Sequence, residues 1–161
     1  MPDRDITKEV LRMFSYGLYV VSAPGPDGPR AATVSWVTQA SFEPRLIAVA
    51  MRKGTTICEA VAASRRFVLQ VVTEEQADFA KAFFRVNSAG PDQISGYHLT
   101  PTAHGLPLFD AAAAWLECEV LEEANAQGDH SLFICRILDS GLREPSRPSL
   151  ALRDTPWHYG G

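Results

Sequence analysis

A histidine at the mouth of a strand, a pair of cations before a capped helix and a run of closely spaced hydroxyls are the parts of this chain that can do chemistry. Gly128-Asp129-His130 opens the apolar run Ser131-Leu132-Phe133-Ile134-Cys135-Arg136-Ile137-Leu138, which sets a titratable imidazole where a strand begins. There His130 either orients or contacts a redox-active ring, or sits in a turn with Asp129 as its local hydrogen-bond partner, the commoner use of a lone histidine. Arg52-Lys53-Gly54-Thr55-Thr56 directly precedes a helix whose start, Thr56-Ile57-Cys58-Glu59, has the form of a capping box. Two cations, two hydroxyls and free helix N–H groups then converge where a phosphate would bind. The plainer reading is that Thr56 only caps and both cations are solvated. Thr33, Ser35, Thr38, Gln39 and Ser41 place hydroxyls and an amide at short intervals around Trp36, donors enough for a polar heterocycle and its chain. The alternative is an exposed strand edge in which Thr and Ser serve β-propensity. Trp115 and Trp157 read as core and lid aromatics or as ordinary packing.

Several chemistries are missing from the pattern. Ser-His-Asp order, HExxH, GxGxxG and GxxxxGK[ST] do not occur, which removes the commonest hydrolase, zincin, Rossmann and P-loop readings. A nicotinamide bound here must be held without a Rossmann unit. Cys58, Cys118 and Cys135 are odd in number and widely spaced, with no CxxC pair and no His at ligand spacing. They read as buried thiols, with no metal site implied.

The elements that must position these residues are mostly strands. Ile6, Val10, Met13 and Phe14 recur at helical spacing, so residues 5–14 read as an amphipathic helix packed on the next elements of the chain. A strand from Gly17 ends in the breakers Pro24-Gly25-Pro26-Asp27-Gly28-Pro29, a hairpin turn, and residues 30–36 return beside it. Leu46-Ile47-Ala48-Val49-Ala50-Met51 is continuously apolar, which implies a strand covered on both faces at a central barrel position. Phe67–Val72 is a further strand. Thr73-Glu74-Glu75-Gln76 repeats the capping-box form before a short helix over 74–84. Asn87 to Pro107 reads as a long connection with room for one short strand. In the next segment Ala111–Ala114 favours helix, but the alternation of Leu116, Cys118 and Val120 with Glu117 and Glu119 favours a strand over 114–123. The strand opened by His130 runs to Leu138, and the Pro-rich Glu144–Ser149 leads to a short tail. Strands in hairpin-like succession, without a β-then-helix rhythm, give a small antiparallel barrel with peripheral helices.

A chain of 161 residues, 46% of them hydrophobic, suits one domain with a sizeable core. A net charge of -4 with no Lys/Arg block argues against nucleic acid. Residues 1–20 begin with charges and contain neither the apolar core of a signal peptide nor a membrane-spanning run, so a cytoplasmic location away from membranes is expected.

Taken in order, these pieces resemble the flavin reductase-like family over nearly the whole chain. The resemblance rests on Phe14-Ser15-Tyr16-Gly17-Leu18-Tyr19-Val20-Val21-Ser22, on Thr33 to Leu46 with its acidic-Pro turn, on Gly105-Leu106-Pro107-Leu108 followed by Ala114 to Val120, and on Gly128-Asp129-His130. Leu152 to Gly161 is similar to the tail of some members. The family implies an FMN-binding, antiparallel Greek-key split β-barrel, mainly β with peripheral helices. It implies that Thr33, Ser35, Trp36, Thr38, Gln39 and Ser41 surround the isoalloxazine and ribityl chain, that Arg52, Lys53, Thr55 and Thr56 meet the phosphate, and that His130 lies near the nicotinamide and flavin rings. Two positions depart from it: Trp36 stands where many relatives carry a small polar residue, and Gln93 where a Lys is common. The implied activity is an NAD(P)H-dependent flavin reductase: hydride passes from NADH or NADPH to FMN or FAD, and reduced flavin leaves for an oxygenase or other acceptor. A homodimer is implied too. The alternative is a flavin-binding electron-transfer protein without direct NAD(P)H reactivity. A split-barrel oxidase or haem-binding relative is a third reading, against which Gly128-Asp129-His130 argues.

Overall fold

Period-two runs of Val, Ile, Leu and Ala dictate a sheet whose faces are buried in turn, and the chain builds one that curls on itself. The computed structural model describes residues 4–85, 89–143 and 147–161. It opens with α1 (Ile6–Arg12), β1 (Tyr19–Ala23), β2 (Arg30–Val34), β3 (Val37–Ser41) and β4 (Leu46–Arg52). After α2 (Thr56–Ser64), β5 (Arg66–Val71) and α3 (Ala77–Lys81) come the short strands β6 (Gln93–Ile94), β7 (Tyr97–Pro101) and β8 (Pro107–Phe109). The long strands β9 (Ala114–Ala124) and β10 (His130–Leu142) and a 3-10 turn at Leu152–Asp154 complete it.

Seven strands form an antiparallel sheet in the order β2-β1-β5-β9-β10-β4-β3. β2 and β3 therefore lie at opposite edges, although only Ser35 and Trp36 separate them in the chain. Three residue steps span at most about 11 Å. The sheet must roll until its edges nearly meet, and because β2 does not pair with β3 it stays open there: a split barrel, not a closed one. Trp36 carbonyl accepts from Ala50 N–H (3.0 Å), fixing this corner to β4.

Inside the roll, Val21, Val49, Met51, Phe67, Leu69 and Phe133 pack together, and α2 plugs one end with Ile57, Cys58 and Val61. Outside it, Phe79, Phe83 and Phe109 hold α3 and the three-stranded β6-β7-β8 sheet against β1. That attachment is polar as well. Buried Gln70 donates to Val20 carbonyl (2.7 Å) and accepts from Phe109 N–H (3.1 Å), and Ser22 Oγ donates to Pro107 carbonyl (2.5 Å). Such groups are tolerated in a core because they are paired.

Several expectations need correction. β4 is not central: it lies second from an edge, and its unbroken apolar run reflects an inner face of Ile47, Val49 and Met51 interleaved with small alanines. The α2 cap is Thr55, whose hydroxyl accepts from Cys58 N–H (3.3 Å), so Thr56 already lies in the first turn and the capping box does not form. At the second box the reciprocal bond exists, Thr73 N–H to Gln76 Oε1 (3.2 Å), but the helix runs only from Ala77 to Lys81. No residue of α1 is buried, and its stripe of Ile6 and Val10, with Met13 beyond, faces outward. The stretch expected as a loop with one strand holds β6 and β7. Its Asn87 and Ser88, and Glu144-Pro145-Ser146 before the tail, lie outside the described residues. No helix among the described residues is long and apolar enough to cross a membrane.

All three thiols are buried. Burial pushes Cys135 up to about 12 and raises Cys118 and Cys58 as well, so the reactive thiolate is scarce at each. In native protein at mildly alkaline pH, a thiol-exchange reagent should therefore label none of the three Cys promptly, and all three once guanidinium unfolds the chain. Rapid labelling of the native state would contradict this packing.

Candidate functional site

Where the rolled edges approach, β2 and the end of β4 are left facing each other across a crevice of about 480 Å³, within the usual range of small-molecule sites. Thr33 and Ser35 line it from one side, Arg52 and Thr55 from the other, and Phe84 and Trp157 contribute apolar wall. Part of each polar segment singled out in the sequence thus faces the other, Thr33 and Ser35 meeting Arg52 and Thr55.

The crevice holds unspent hydrogen-bonding capacity. Ser35 is 4% exposed, and its hydroxyl has no partner among the described residues. Neither has the buried Trp36 Nε1. Native interiors rarely leave such groups alone, so each marks a place where a polar ligand or water belongs. Thr33 Oγ1 donates to Ala80 carbonyl (2.5 Å), which leaves its lone pairs for a ligand donor. At the opposite pole Arg52 stands beside the N-terminus of α2, whose first-turn N–H groups have no acceptor within the helix. A guanidinium next to a helix N-terminus favours an anion.

His130 sits directly across the ladder from Arg52. It is 8% exposed and held on both ring nitrogens: Nδ1 lies 2.7 Å from Asp129 Oδ1 and Nε2 lies 2.5 Å from the Tyr159 hydroxyl. In the neutral ring, the Asp129 carboxylate accepts from Nδ1–H, which leaves the lone pair at Nε2 to accept from the Tyr159 hydroxyl. The imidazole hydrogen bond holds the Asp129 carboxyl below the ordinary carboxylate range, and burial pushes the Tyr159 phenol up. Trp36 covers the imidazole, their ring centroids 4.5 Å apart and 32° from parallel. The turn before His130 is tied by Lys53, whose ammonium donates to the carbonyls of Asn125 (2.8 Å) and Gly128 (2.6 Å), and by Asn125 Nδ2, which donates to His130 carbonyl (2.9 Å).

Comparison with known proteins identifies the family. The model of the family described as "Flavin reductase like domain" matches residues 11–157. The chain belongs to the flavin reductase-like domain family. It is 34% identical over 136 residues to Diflavin flavoprotein A 1 of Synechocystis sp., covering 84% of this chain and 23% of that one. The chain spans about a quarter of the length of the first curated relatives it matches. Among solved structures it is similar to the styrene monooxygenase flavin reductase SMOB of Pseudomonas putida S12 (TM-score 0.74, 29% identity, covering 89% of this chain and 90% of that one). It is also similar to the NADH:FAD oxidoreductase SgcE6 of Streptomyces globisporus in complex with NAD and FAD fragments (TM-score 0.72, 25% identity, covering 86% and 81%).

The residues expected at the site divide. Thr33, Ser35, Arg52 and Thr55 meet at the crevice, and Trp36 and His130 form its adjoining corner. Thr38, Gln39 and Ser41 do not line it. They lie on the edge strand β3, where Thr38 Oγ1 donates to Gln39 carbonyl (3.1 Å) and Gln39 Nε2 to Ser41 carbonyl (3.2 Å). Lys53 is committed to the turn before His130, and Thr56 lines a separate cavity with Glu59 and Arg30. Sequence reasoning passes over Phe83, Phe84, His158 and Tyr159 as site residues, and all four line the crevice. Only the aromatic density of Trp157-His158-Tyr159 signals the tail.

Replacing Lys53 by Ala removes the clamp on the turn before His130. Amide exchange at residues 125–130 should quicken by about tenfold, the worth of roughly one net hydrogen bond. Unchanged exchange would show that the turn holds itself.

Proposed function

We propose that this domain is an NAD(P)H-dependent flavin reductase, binding FMN or FAD and supplying reduced flavin to an oxygenase or another acceptor. The observation that carries the reading is the crevice, which holds an unfilled buried Ser35 hydroxyl and a cationic pole at Arg52 and Thr55, with the Trp36–His130 corner joined to it through the lining residue Tyr159. These residues fit a flavin mononucleotide: ring and ribityl oxygens toward Thr33, Ser35 and Trp36, phosphate toward Arg52 and the α2 N-terminus. Bound flavin supplies the redox chemistry by accepting hydride at N5 from C4 of the nicotinamide. The chain's part is placement. Trp36 and His130 define the plane on which a second ring lies, the apolar walls exclude water, and Arg52 fixes the anionic end. None of these roles requires a strong acid or base.

The reading draws support from relatives whose names state such activities, SMOB as the reductase of a monooxygenase and SgcE6 with NAD and FAD fragments. A homodimer belongs to the proposal: the outward stripe of α1 and Phe42, 88% exposed, give a second copy apolar surface to cover. The second reading, a flavin carrier without NAD(P)H reactivity, is favoured by the likeness to a diflavin flavoprotein of which this chain covers only 23%.

Anaerobic mixing of the flavin-loaded protein with NADH and with NADPH separates the two. Prompt bleaching, followed by turnover of added flavin, is expected; a protein that keeps its colour with both nucleotides is the carrier. Arg52→Ala should weaken FMN binding by about tenfold to a hundredfold, as loss of a charge-assisted contact does, and leave riboflavin binding nearly unchanged; equal losses for both would remove the phosphate from this pole. His130→Ala should slow flavin reduction by about tenfold to a hundredfold through lost ring placement, with little change in flavin affinity. Equal rates in stopped-flow reduction would exclude that role.

A further inference from the structure

The tail crosses the crevice and takes the contact at His130 that a substrate would need. Its start is fixed: Leu152 N–H donates to Tyr16 carbonyl (2.9 Å), Thr155 Oγ1 to Leu152 carbonyl (2.6 Å), and Trp157 N–H to Thr155 Oγ1 (3.2 Å). Trp157 then stands edge-on to Phe84, their ring centroids 4.7 Å apart. Beyond it, Tyr159 reaches His130 Nε2 with its hydroxyl and sets its ring edge-on to Trp36 at 5.1 Å. Gly160 comes next with φ +107, and a Cβ there would come within 3.2 Å of the Trp36 ring. Absence of a side chain is thus what lets the backbone pass so close to that indole.

His130 has one acceptor atom, and Tyr159 holds it. Asp129 accepts the hydrogen bond from Nδ1–H, so an amide donor approaching the neutral imidazole can bond only at Nε2. A reduced nicotinamide carries such a donor in its carboxamide, and its planar ring needs the aromatic surface that Tyr159 now touches. We propose that Tyr159 is a specificity-determining residue that competes with the nicotinamide for His130 and Trp36, so that nucleotide binds only the molecules in which the segment around Tyr159 has moved aside. The inference rests on the reductase reading and adds to it the residue that sets nucleotide affinity. Apparent affinity falls by the fraction of competent molecules. The contact to be broken is one hydrogen bond and an edge-on ring contact at a side chain still 41% exposed, a closure that nucleotide binding can reverse.

The test uses the full chain and Tyr159→Phe, which keeps the ring and removes the hydroxyl. In flavin-free protein labelled with nitrogen-15, the His130 Nε2 resonance should shift on loss of its donor. Titration with NAD+, followed at that resonance, should show affinity raised by about threefold to tenfold, the worth of one net hydrogen bond. In the flavin-loaded protein, stopped-flow reduction should reach its half-maximal rate at a correspondingly lower concentration of reduced nucleotide. Unchanged affinity, or affinity lowered because the hydroxyl contacts the nucleotide, overturns the competition. Wild-type protein that bleaches with neither NADH nor NADPH overturns the reductase reading and this inference with it, whereas bleaching with unaltered affinity in Tyr159→Phe overturns this inference alone.

Discussion

A two-residue connection between opposite edges of a seven-stranded sheet is the constraint on which the rest depends. Ser35 and Trp36 cannot bridge an open sheet of that width, so β2 and β3 force the roll, and the roll brings β2 to face the end of β4. The same two residues then sit at the seam, where neither edge strand pairs. A serine hydroxyl and an indole N–H at such a place lose their solvent without gaining a partner among the described residues. Each unmade hydrogen bond costs about 1–3 kcal/mol. On the proposed function, that cost is offset when a bound polar ligand supplies the missing partners.

The second determinant is register. β4 and β10 pair so that Arg52 lies opposite His130, which places an anion pole and an imidazole on neighbouring strands at the same level of the barrel. Lys53, next in the chain, points the other way and holds the turn that delivers His130. Adjacent cations in a sequence thus divide the work: one faces the crevice and the other supports the histidine. The division follows from where the strand stops: Arg52 is the last residue of β4, while Lys53 lies in the turn after it, within reach of the carbonyls before His130.

Much of this is legible in the sequence, and the failures have physical causes. The strands β4, β5, β9 and β10 are evident because β4, β5 and β10 carry largely apolar runs of strand length and β9 alternates. At β9, alternation correctly overrules the helix propensity of Ala111–Ala114, since burial of Cys118 and Val120 outweighs an intrinsic preference of a few tenths of a kcal/mol per residue. The hydroxyl run from Thr33 to Ser41 reads as one surface, yet the hinge at Ser35-Trp36 divides it between two sheet edges. Thr33 and Ser35 turn inward, while Thr38, Gln39 and Ser41 lie along an edge strand, where Thr38 and Gln39 bond to nearby backbone. No local signal marks such a division, because it arises from the pairing of strands distant in sequence. The stripe on α1 misleads for a related reason: helical spacing of apolar residues reports that a face needs covering, not that the same chain covers it.

The tail shows the same limit from the other direction. Nothing within Trp157-His158-Tyr159 states where those rings go, and their destination is fixed by residues more than a hundred positions earlier, at Trp36, and by the narrow passage that Gly160 allows beside that indole. An aromatic segment with few anchors beyond Trp157 gains from settling on the aromatic surface nearest to it. In this fold that surface is the Trp36–His130 corner, and on the proposed function the same corner that receives a planar ligand accepts the protein's own phenol by the same physics. On that reading, competition between the tail and a ligand follows from a stacking site set beside a segment rich in aromatics, and the one acceptor atom of a neutral imidazole makes the competition exclusive rather than additive.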